Sequence, residues 1–599
     1  LEKSEQKLPV LPLPELNHLR ELAEWVKPLV DEEDFRITME ALESFLEPDG
    51  DGERLQQQLK KIASQTSTSW LAPLWWDLYL AYRGPLVGHM NYSGMMETAS
   101  LPSGDTVSAL GGKMVHELMK VYEKISLCTF PQGYVKDRPL CMDQYQYLFK
   151  AHRLPKPDKD QYITYPMAAP HHIVVLYRDA FYRLNTSDDH GEIFSSSALA
   201  SGIQRILEAQ KKAGKITKTE GDRIGALTTA TRKEAALTRQ ELEVNEVNRK
   251  NLEAIDQAIF VLCIDPTPAT IDDWHRSLLL SEGNNRYFDK SFQLILSESL
   301  DIGFNAEHTG ADATPWFHFM EQLHQTLQKS REAEPDHSKP VGEPIVEKLE
   351  WKFSHALKQR LQKQREDHLA RAAELELTHL FFQHFGKEQI KQLKMSPDAF
   401  FHIALQTAQY STFGKLKSTY ESVSVRHFKA GRTECARPVN REVALLAKAM
   451  QKDDQSSEWM KSQLRKAQDA HLNRIMKCQQ GYGIERHLFG LQKMYEQHGE
   501  RLGISKEPGL FSTPGYRQLK HDFLSSSGVG SESISLFSFG PVTEDGFGIG
   551  YVIRQESIHV SLSCKSENRT IGTKLLKELE AALLKQRQIL LGTAKINLV

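Results

Sequence analysis

What this chain of 599 residues lacks narrows it before anything present is weighed. Its six cysteines, Cys128, Cys141, Cys263, Cys435, Cys478 and Cys564, are dispersed with no C-x-x-C pair. That spacing excludes a paired-cysteine zinc site or dithiol exchange and favours a reducing compartment. Charge of one sign is missing too. With 75 Lys+Arg against 78 Asp+Glu, nothing draws the whole chain to nucleic acid or an anionic bilayer, so any anion site must be local. The most apolar N-terminal stretch, Trp70 to Tyr82, is interrupted by Asp77 and falls short of the ~20 apolar residues that span a bilayer, so no transmembrane segment is expected. No short repeat period is present. Leu1 is compatible with a targeting segment removed upstream, and the closing Asn597-Leu598-Val599 is not an S-K-L peroxisomal address.

What is there suffices for large cores. Hydrophobic residues make up 40%, and domains of roughly 100–200 residues make two or more the expectation. Lys329 to Pro344 holds three prolines, several charges and almost no large apolar side chain, which marks a linker. The expected division is 1–60, a helical segment, then 61–345 and 346–599. Helical spacing of apolar residues predicts helices within Leu16 to Leu46, Val107 to Tyr122, Leu349 to Phe385, Ala399 to Tyr410 and Ile571 to Leu591. Arg232 to Lys250 reads as a solvated helical face. His172–Tyr177 with Ala180–Leu184 reads as a hairpin around Arg178-Asp179, and Ile259–Ile264 as a buried strand. Phe292–Leu296 and Ile302–Ala306 read as paired strands leading to His308, with more strands from Phe537 to Leu562.

That placement gives His308 chemical interest, because an imidazole can take a proton from an alcohol or thiol near neutral pH and return it to a leaving group. Asp312 follows four residues on. Lys387 and Lys391, four apart, share a helix face beside Lys394; two ammonium groups there make a phosphate clamp, although such a face alone is usually just solvated. Asp545-Gly546-Phe547-Gly548-Ile549-Gly550 has the wrong spacing for a dinucleotide loop, so its glycines read as structural.

Several segments in one order resemble the carnitine/choline acyltransferase family: Pro139-Leu140-Cys141-Met142 with Tyr145 and Arg153-Leu154-Pro155; Asn285-Arg286-Tyr287-Phe288-Asp289-Lys290-Ser291; His308 with Asp312; Gly386-Lys387 through Ser396-Pro397-Asp398; Thr419-Tyr420-Glu421-Ser422; Gly431-Arg432-Thr433-Glu434; Arg486-His487; and Ser525-Ser526-Ser527. Tyr287 stands for a usual tryptophan, Ala313 for a usual glycine, and Ser526 for threonine.

The resemblance implies an α/β chain of two domains of similar chloramphenicol acetyltransferase-like fold, with the active-site tunnel at their interface and residues 1–60 packed on the C-terminal domain. It implies a reversible acyl transfer between coenzyme A and L-carnitine with His308 as general base supported by Asp312, and Ser527 stabilising the oxyanion. Lys387, Lys391 and Asp398 would hold coenzyme A. Tyr420, Thr433, Arg486 and Ser525 would hold carnitine, the arginine fork suiting a carboxylate that choline lacks. Phe537 aligns with a site that is bulky in acetyl enzymes and glycine in longer-chain ones, so short chains are favoured. Coenzyme A is a substrate, and neither metal nor cofactor is expected. A monomer in the mitochondrial matrix is expected, with the peroxisome as alternative. Medium- or long-chain transfer, choline acetyl transfer, and an inactive coenzyme A- or carnitine-binding relative stay open.

Overall fold

The computed structural model describes residues 8–101, 104–166, 171–212, 223–329, 342–452 and 454–592. It is a mixed α/β structure with two large sheets. The first has eight strands in the order Val346–Lys348, Ala180–Asn185, His172–Tyr177, Val261–Asp265, Phe292–Ser297, Ile302–Glu307, Asn91–Met96 and Ile534–Ser538. The second has six: Leu375–Phe382, Ile558–Lys565, Phe547–Ile553, Leu524–Val529, Thr419–Ser424 and Thr433–Cys435. Each sheet has three parallel strands at its centre, flanked by antiparallel neighbours.

The predicted hairpin forms, with Tyr177 opposite Ala180. So does the antiparallel pair Phe292–Ser297 and Ile302–Glu307, every residue of which is buried. Covered on both faces, such strands lose the polar alternation of a surface sheet. Glu307 therefore ends a core strand, and His308 is the first residue beyond it.

The stretch Leu349 to Phe385 departs from its helical expectation. The helix there is His355–Ala373, capped by Ser354, whose hydroxyl accepts the Leu357 N–H at 3.0 Å. From Leu375 to Phe382 the chain is a strand paired along its whole length with Ile558–Lys565. Leu375 and Leu377 alternate there with Glu376 and Thr378 before the apolar run Leu380-Phe381-Phe382, and the ladder bonds to the neighbouring strand decide over the helical pattern. The proline-bearing linker is described only at Lys329 and from Gly342 on; its middle lies outside the described residues.

Two features join the halves of the chain. Leu11, Leu22, Trp25, Leu55 and Trp75 share one hydrophobic core with Val423, Ile484, Leu488 and Leu519. The strand Ile534–Ser538 lies at the edge of the first sheet, with Phe537 opposite Gly94, while its back rests on the second. A Cβ on Gly550 would lie 1.9 Å from the Phe537 carbonyl oxygen, so glycine is required at that close approach. The same carbonyl accepts the Ser561 hydroxyl, and Ser563 donates to the Phe539 carbonyl at 2.6 Å.

Candidate active site

His308 sits in the turn after its strand, half-buried, its main-chain N–H bonded to the Met90 carbonyl at 2.9 Å. Tyr79 stacks on the imidazole at 5.1 Å and 11°, and Tyr92 meets it edge-on at 5.2 Å. Nδ1 is buried without a hydrogen-bond partner. Burial lowers the imidazole's pKa below its usual value; Asp312 opposes the shift and Arg432 adds to it. The ring is therefore neutral at neutral pH, the form a base needs.

Asp312 does not touch the imidazole through a hydrogen bond. It locks the turn instead. Gln144 donates to its carboxylate at 3.0 Å and accepts its main-chain N–H at 2.7 Å. Arg432, from the second half of the chain, reaches across: Nε to Asp312 at 3.0 Å, Nη1 to the Thr309 carbonyl at 2.9 Å and Nη2 to the His308 carbonyl at 3.2 Å. Burial alone would raise the Asp312 carboxyl, and the adjacent guanidinium holds it below the usual range. Ala313 simply opens the helix Ala313–Lys329 and has no positive φ, so alanine for glycine costs this turn nothing in strain.

Beneath the turn lies a buried ionic network. Thr309 donates its hydroxyl to Glu307 at 2.6 Å, and Arg153 faces Glu307 at 3.4 Å. Asp160 accepts from Arg153 at 2.7 Å and from Arg232 at 2.6 Å; Arg232 also reaches Asp289 at 2.7 Å. Two of the sequence motifs, those around Arg153 and Asp289, meet here as the support of His308. Charges so buried persist only when each has a partner.

A second cluster surrounds Arg486, in the first turn of the helix Ile484–His498. Its Nε donates to the Thr433 carbonyl at 3.0 Å and its Nη2 to the Tyr420 hydroxyl at 2.9 Å. Its guanidinium covers the Trp75 ring at 4.1 Å, a cation–π contact. Trp75 in turn meets Tyr79 at 5.8 Å, one turn on along the helix Leu71–Ala81. Arg486, Trp75, Tyr79 and His308 thus form a series of ring contacts, edge-on between Trp75 and Tyr79 and stacked between Tyr79 and His308, that links the second cluster to the imidazole.

The serines lie on Leu524–Val529, beside Tyr420. Tyr420 pairs with Ser525 in parallel register, so strand alternation puts Tyr420, Ser422, Ser525 and Ser527 on one face. Ser527 lies 3.4 Å from the Ser422 hydroxyl, while Ser526 spends its own on the Tyr420 carbonyl at 2.6 Å. Ser527 makes no hydrogen bond to His308 among the described residues.

The third cluster is apart from His308. Lys387 and Lys391 occupy the short helix Lys387–Gln392, whose start is fixed by the Lys387 N–H to the Arg554 carbonyl at 2.8 Å. Among the described residues neither lysine forms an ion pair, nor does Lys394. Asp398, in the first turn of Pro397–Phe413, accepts from Tyr551 at 2.7 Å and faces His471 at 3.3 Å. His471 also faces Glu421, at 3.7 Å. Glu421 follows Tyr420 on the same strand, so two neighbouring residues point to opposite faces and join the second cluster to the third.

Phe537 is buried in aromatic rings: Tyr92 at 5.8 Å, Phe317 at 5.1 Å and Phe539 at 5.5 Å. Tyr92 touches both it and the imidazole, so Phe537 stands one ring away from His308. Arg432, Trp75, Tyr79 and Tyr92 carry no role in the sequence reading. Trp75 and Tyr79, spaced four apart, were the available signal, and Arg432 stands inside the Gly-Arg-Thr segment.

A neutral imidazole held between aromatic rings, where residues of both halves of the chain meet, is a site equipped for proton transfer. A family model described as choline/carnitine O-acyltransferase matches residues 11–581. Carnitine O-acetyltransferase from Homo sapiens is 30% identical over 97% of this chain and 93% of its own length. That from Columba livia is 29% identical over 99% and 95%. Mitochondrial carnitine O-palmitoyltransferase 2 from Bos taurus is 30% identical over 93% and 88%. The protein is an acyltransferase. It belongs to the choline/carnitine O-acyltransferase family. No helix among the described residues is long and apolar enough to cross a membrane.

Substitution Arg432→Gln is expected to destabilise the fold by ~3–5 kcal/mol, since it strands the Asp312 carboxylate in the interior. Urea unfolding measures this. Addition of Asp312→Asn should recover part of the loss, a non-additivity that unlinked residues would not give.

Proposed function

We infer that this protein transfers a short acyl group, acetyl favoured, reversibly between coenzyme A and the hydroxyl of L-carnitine, with His308 as general base. The observation that carries the reading is the series of ring contacts from Arg486 through Trp75 and Tyr79 to His308. It sets an anion anchor and a proton acceptor on one path, as a substrate with a carboxylate and a reactive hydroxyl requires. Arg486 Nη1 makes no hydrogen bond among the described residues, so the guanidinium keeps donors for that carboxylate. Tyr420, Thr433 and Ser525 complete the carnitine site.

With Nδ1 buried, Nε2 is the nitrogen open to substrate. It takes the hydroxyl proton as the oxygen attacks the thioester carbonyl. The tetrahedral oxyanion accepts a hydrogen bond from Ser527. Collapse breaks the carbon–sulfur bond, and the coenzyme A thiolate receives the proton from the imidazolium. Lys387 and Lys391 take the 3′-phosphate, and Asp398 accepts from the adenosine or pantetheine part. Phe537 closes the acyl end. Matrix residence, with the peroxisome as alternative, is supported by the mitochondrial label of the palmitoyltransferase relatives.

Thiol release from acetyl-CoA with L-carnitine tests the reading. Turnover should exceed that with choline or with palmitoyl-CoA by about tenfold or more; no turnover, or a preference for choline, rejects it. In the double variant Lys387→Ala/Lys391→Ala, KM for acetyl-CoA should rise roughly 10- to 100-fold with kcat little changed. With 3′-dephospho-acetyl-CoA the variant and the parent should converge.

A further inference from the structure

Glu434 lies directly behind Arg486. On the strand Thr433–Cys435 its residue is 5% exposed, and Oε1 accepts two main-chain N–H groups, from Arg486 at 3.0 Å and from Cys435 at 2.8 Å. The carboxylate thus sits at the N-terminus of the helix Ile484–His498, where unpaired N–H groups favour an acceptor. Gly483 makes this possible, since a Cβ there would lie 2.5 Å from Glu434 Cδ. By holding the first turn of that helix, Glu434 fixes where the guanidinium emerges toward Tyr420 and Trp75.

The charge of this carboxyl is poised. Burial raises its pKa to about 7, although Arg486 pulls it down. The other ionisable groups facing it do not change charge in that range. Burial pushes Cys435 up to about 11, and Cys478 on the helix Ser457–Gln479 well above its usual value. Tyr420 is raised to about 12, again by burial. Burial would raise Glu485 as well, yet Arg437 at 2.8 Å and Lys520 at 2.6 Å keep it ionised below the usual range. A cavity of ≈ 10 Å³ lined by Glu434, Arg486, Cys478, Gly481 and Leu11 is about the space of one water, enough for a proton carrier.

We propose that Glu434 is a positioning residue for Arg486 and that it takes up a proton when a carboxylate docks on that guanidinium. The proposal rests on the carnitine reading of the Arg486 cluster. Ionised, Glu434 places a negative charge close to the guanidinium without pairing with it directly; an arriving carboxylate repels that charge and favours the protonated form. The sign follows: the binding-competent protonated form prevails below about pH 7 and is lost above it, so carnitine affinity falls as pH rises.

Calorimetric titration of the intact protein with L-carnitine, in two buffers of different ionisation enthalpy, reads the proton directly. Uptake of about half a proton per carnitine at pH ~7.5 is expected, with Kd rising roughly five- to tenfold between about pH 6.5 and 8.5. In Glu434→Gln the amide oxygen still accepts both N–H groups, so carnitine should bind with no proton uptake and a flat pH profile. Binding by the unaltered protein without uptake overturns the proposal, and so does uptake that persists in Glu434→Gln. If carnitine does not bind at all, the carnitine reading falls and takes the proposal with it. Should the variant fail to fold, the two-buffer measurement on the unaltered protein decides alone.

Discussion

Replacing His308 with alanine is expected to lower kcat for acetyl transfer by about 10³-fold, the middle of the range a positioned general base contributes. KM for either substrate should move by less than about threefold, because the anchors for carnitine and coenzyme A lie on other elements. No neighbour can take over the proton. The phenols of Tyr79 and Tyr92, which flank the ring, are both pushed up by burial and stay protonated. The pH profile of kcat at saturating carnitine supplies an independent check: burial depresses the imidazole, so kcat should hold through neutral pH and fall only on the acid side, as the base becomes protonated. His308→Gln, which keeps more of the ring's volume between the tyrosines, should be better folded than His308→Ala and equally slow. A kcat within tenfold of the parent in both variants would refute the base assignment.

Why the sequence reached this histidine but not its surroundings has a physical reason. His308 follows a core strand whose unbroken apolar run is legible one residue at a time, and the hairpin and buried strands announce themselves in the same way. Arg432 is different. Its value comes from three contacts to residues more than a hundred positions away, and no local period encodes such a reach. Trp75 and Tyr79 belong to a helix so apolar that sequence alone reads them as core; only the fold reveals that one face of each ring is turned to Arg486 and His308. The strand Leu375–Phe382 reads as helix in the sequence because its neighbours on the N-terminal side are strong helix formers, and a partner nearly two hundred residues on decides the matter. Lys387 and Lys391 were legible as a pair, since a four-residue interval is a local signal.

Phe537→Gly is expected to raise kcat/KM for octanoyl-CoA by about 100-fold, while activity on acetyl-CoA falls only severalfold. Octanoyl exceeds acetyl by six methylenes, worth ~0.8 kcal/mol each when buried, or ~5 kcal/mol in all. About half of that suffices for the stated gain, so the new space need accept only part of the chain. The space is bounded by Tyr92, Phe317 and Phe539, whose rings give an apolar lining, and Tyr92 aligns it with the imidazole. Removing the benzyl group costs stability as well, ~3–5 kcal/mol for loss of a buried aromatic side chain, with up to ~1 kcal/mol more for glycine within a strand. The close contact of the Phe537 carbonyl with Gly550 and Ser561 pins the backbone from the other sheet and should keep the strand in register. A series Phe537→Val, Phe537→Ala, Phe537→Gly separates the two effects: if Phe537 closes the acyl end, the preferred chain should lengthen stepwise as the side chain shrinks, whereas destabilisation alone would lower the rate for every acyl-CoA in parallel. An unchanged chain-length profile in a folded Phe537→Gly protein would place the acyl chain elsewhere and remove the structural ground for a short-chain preference.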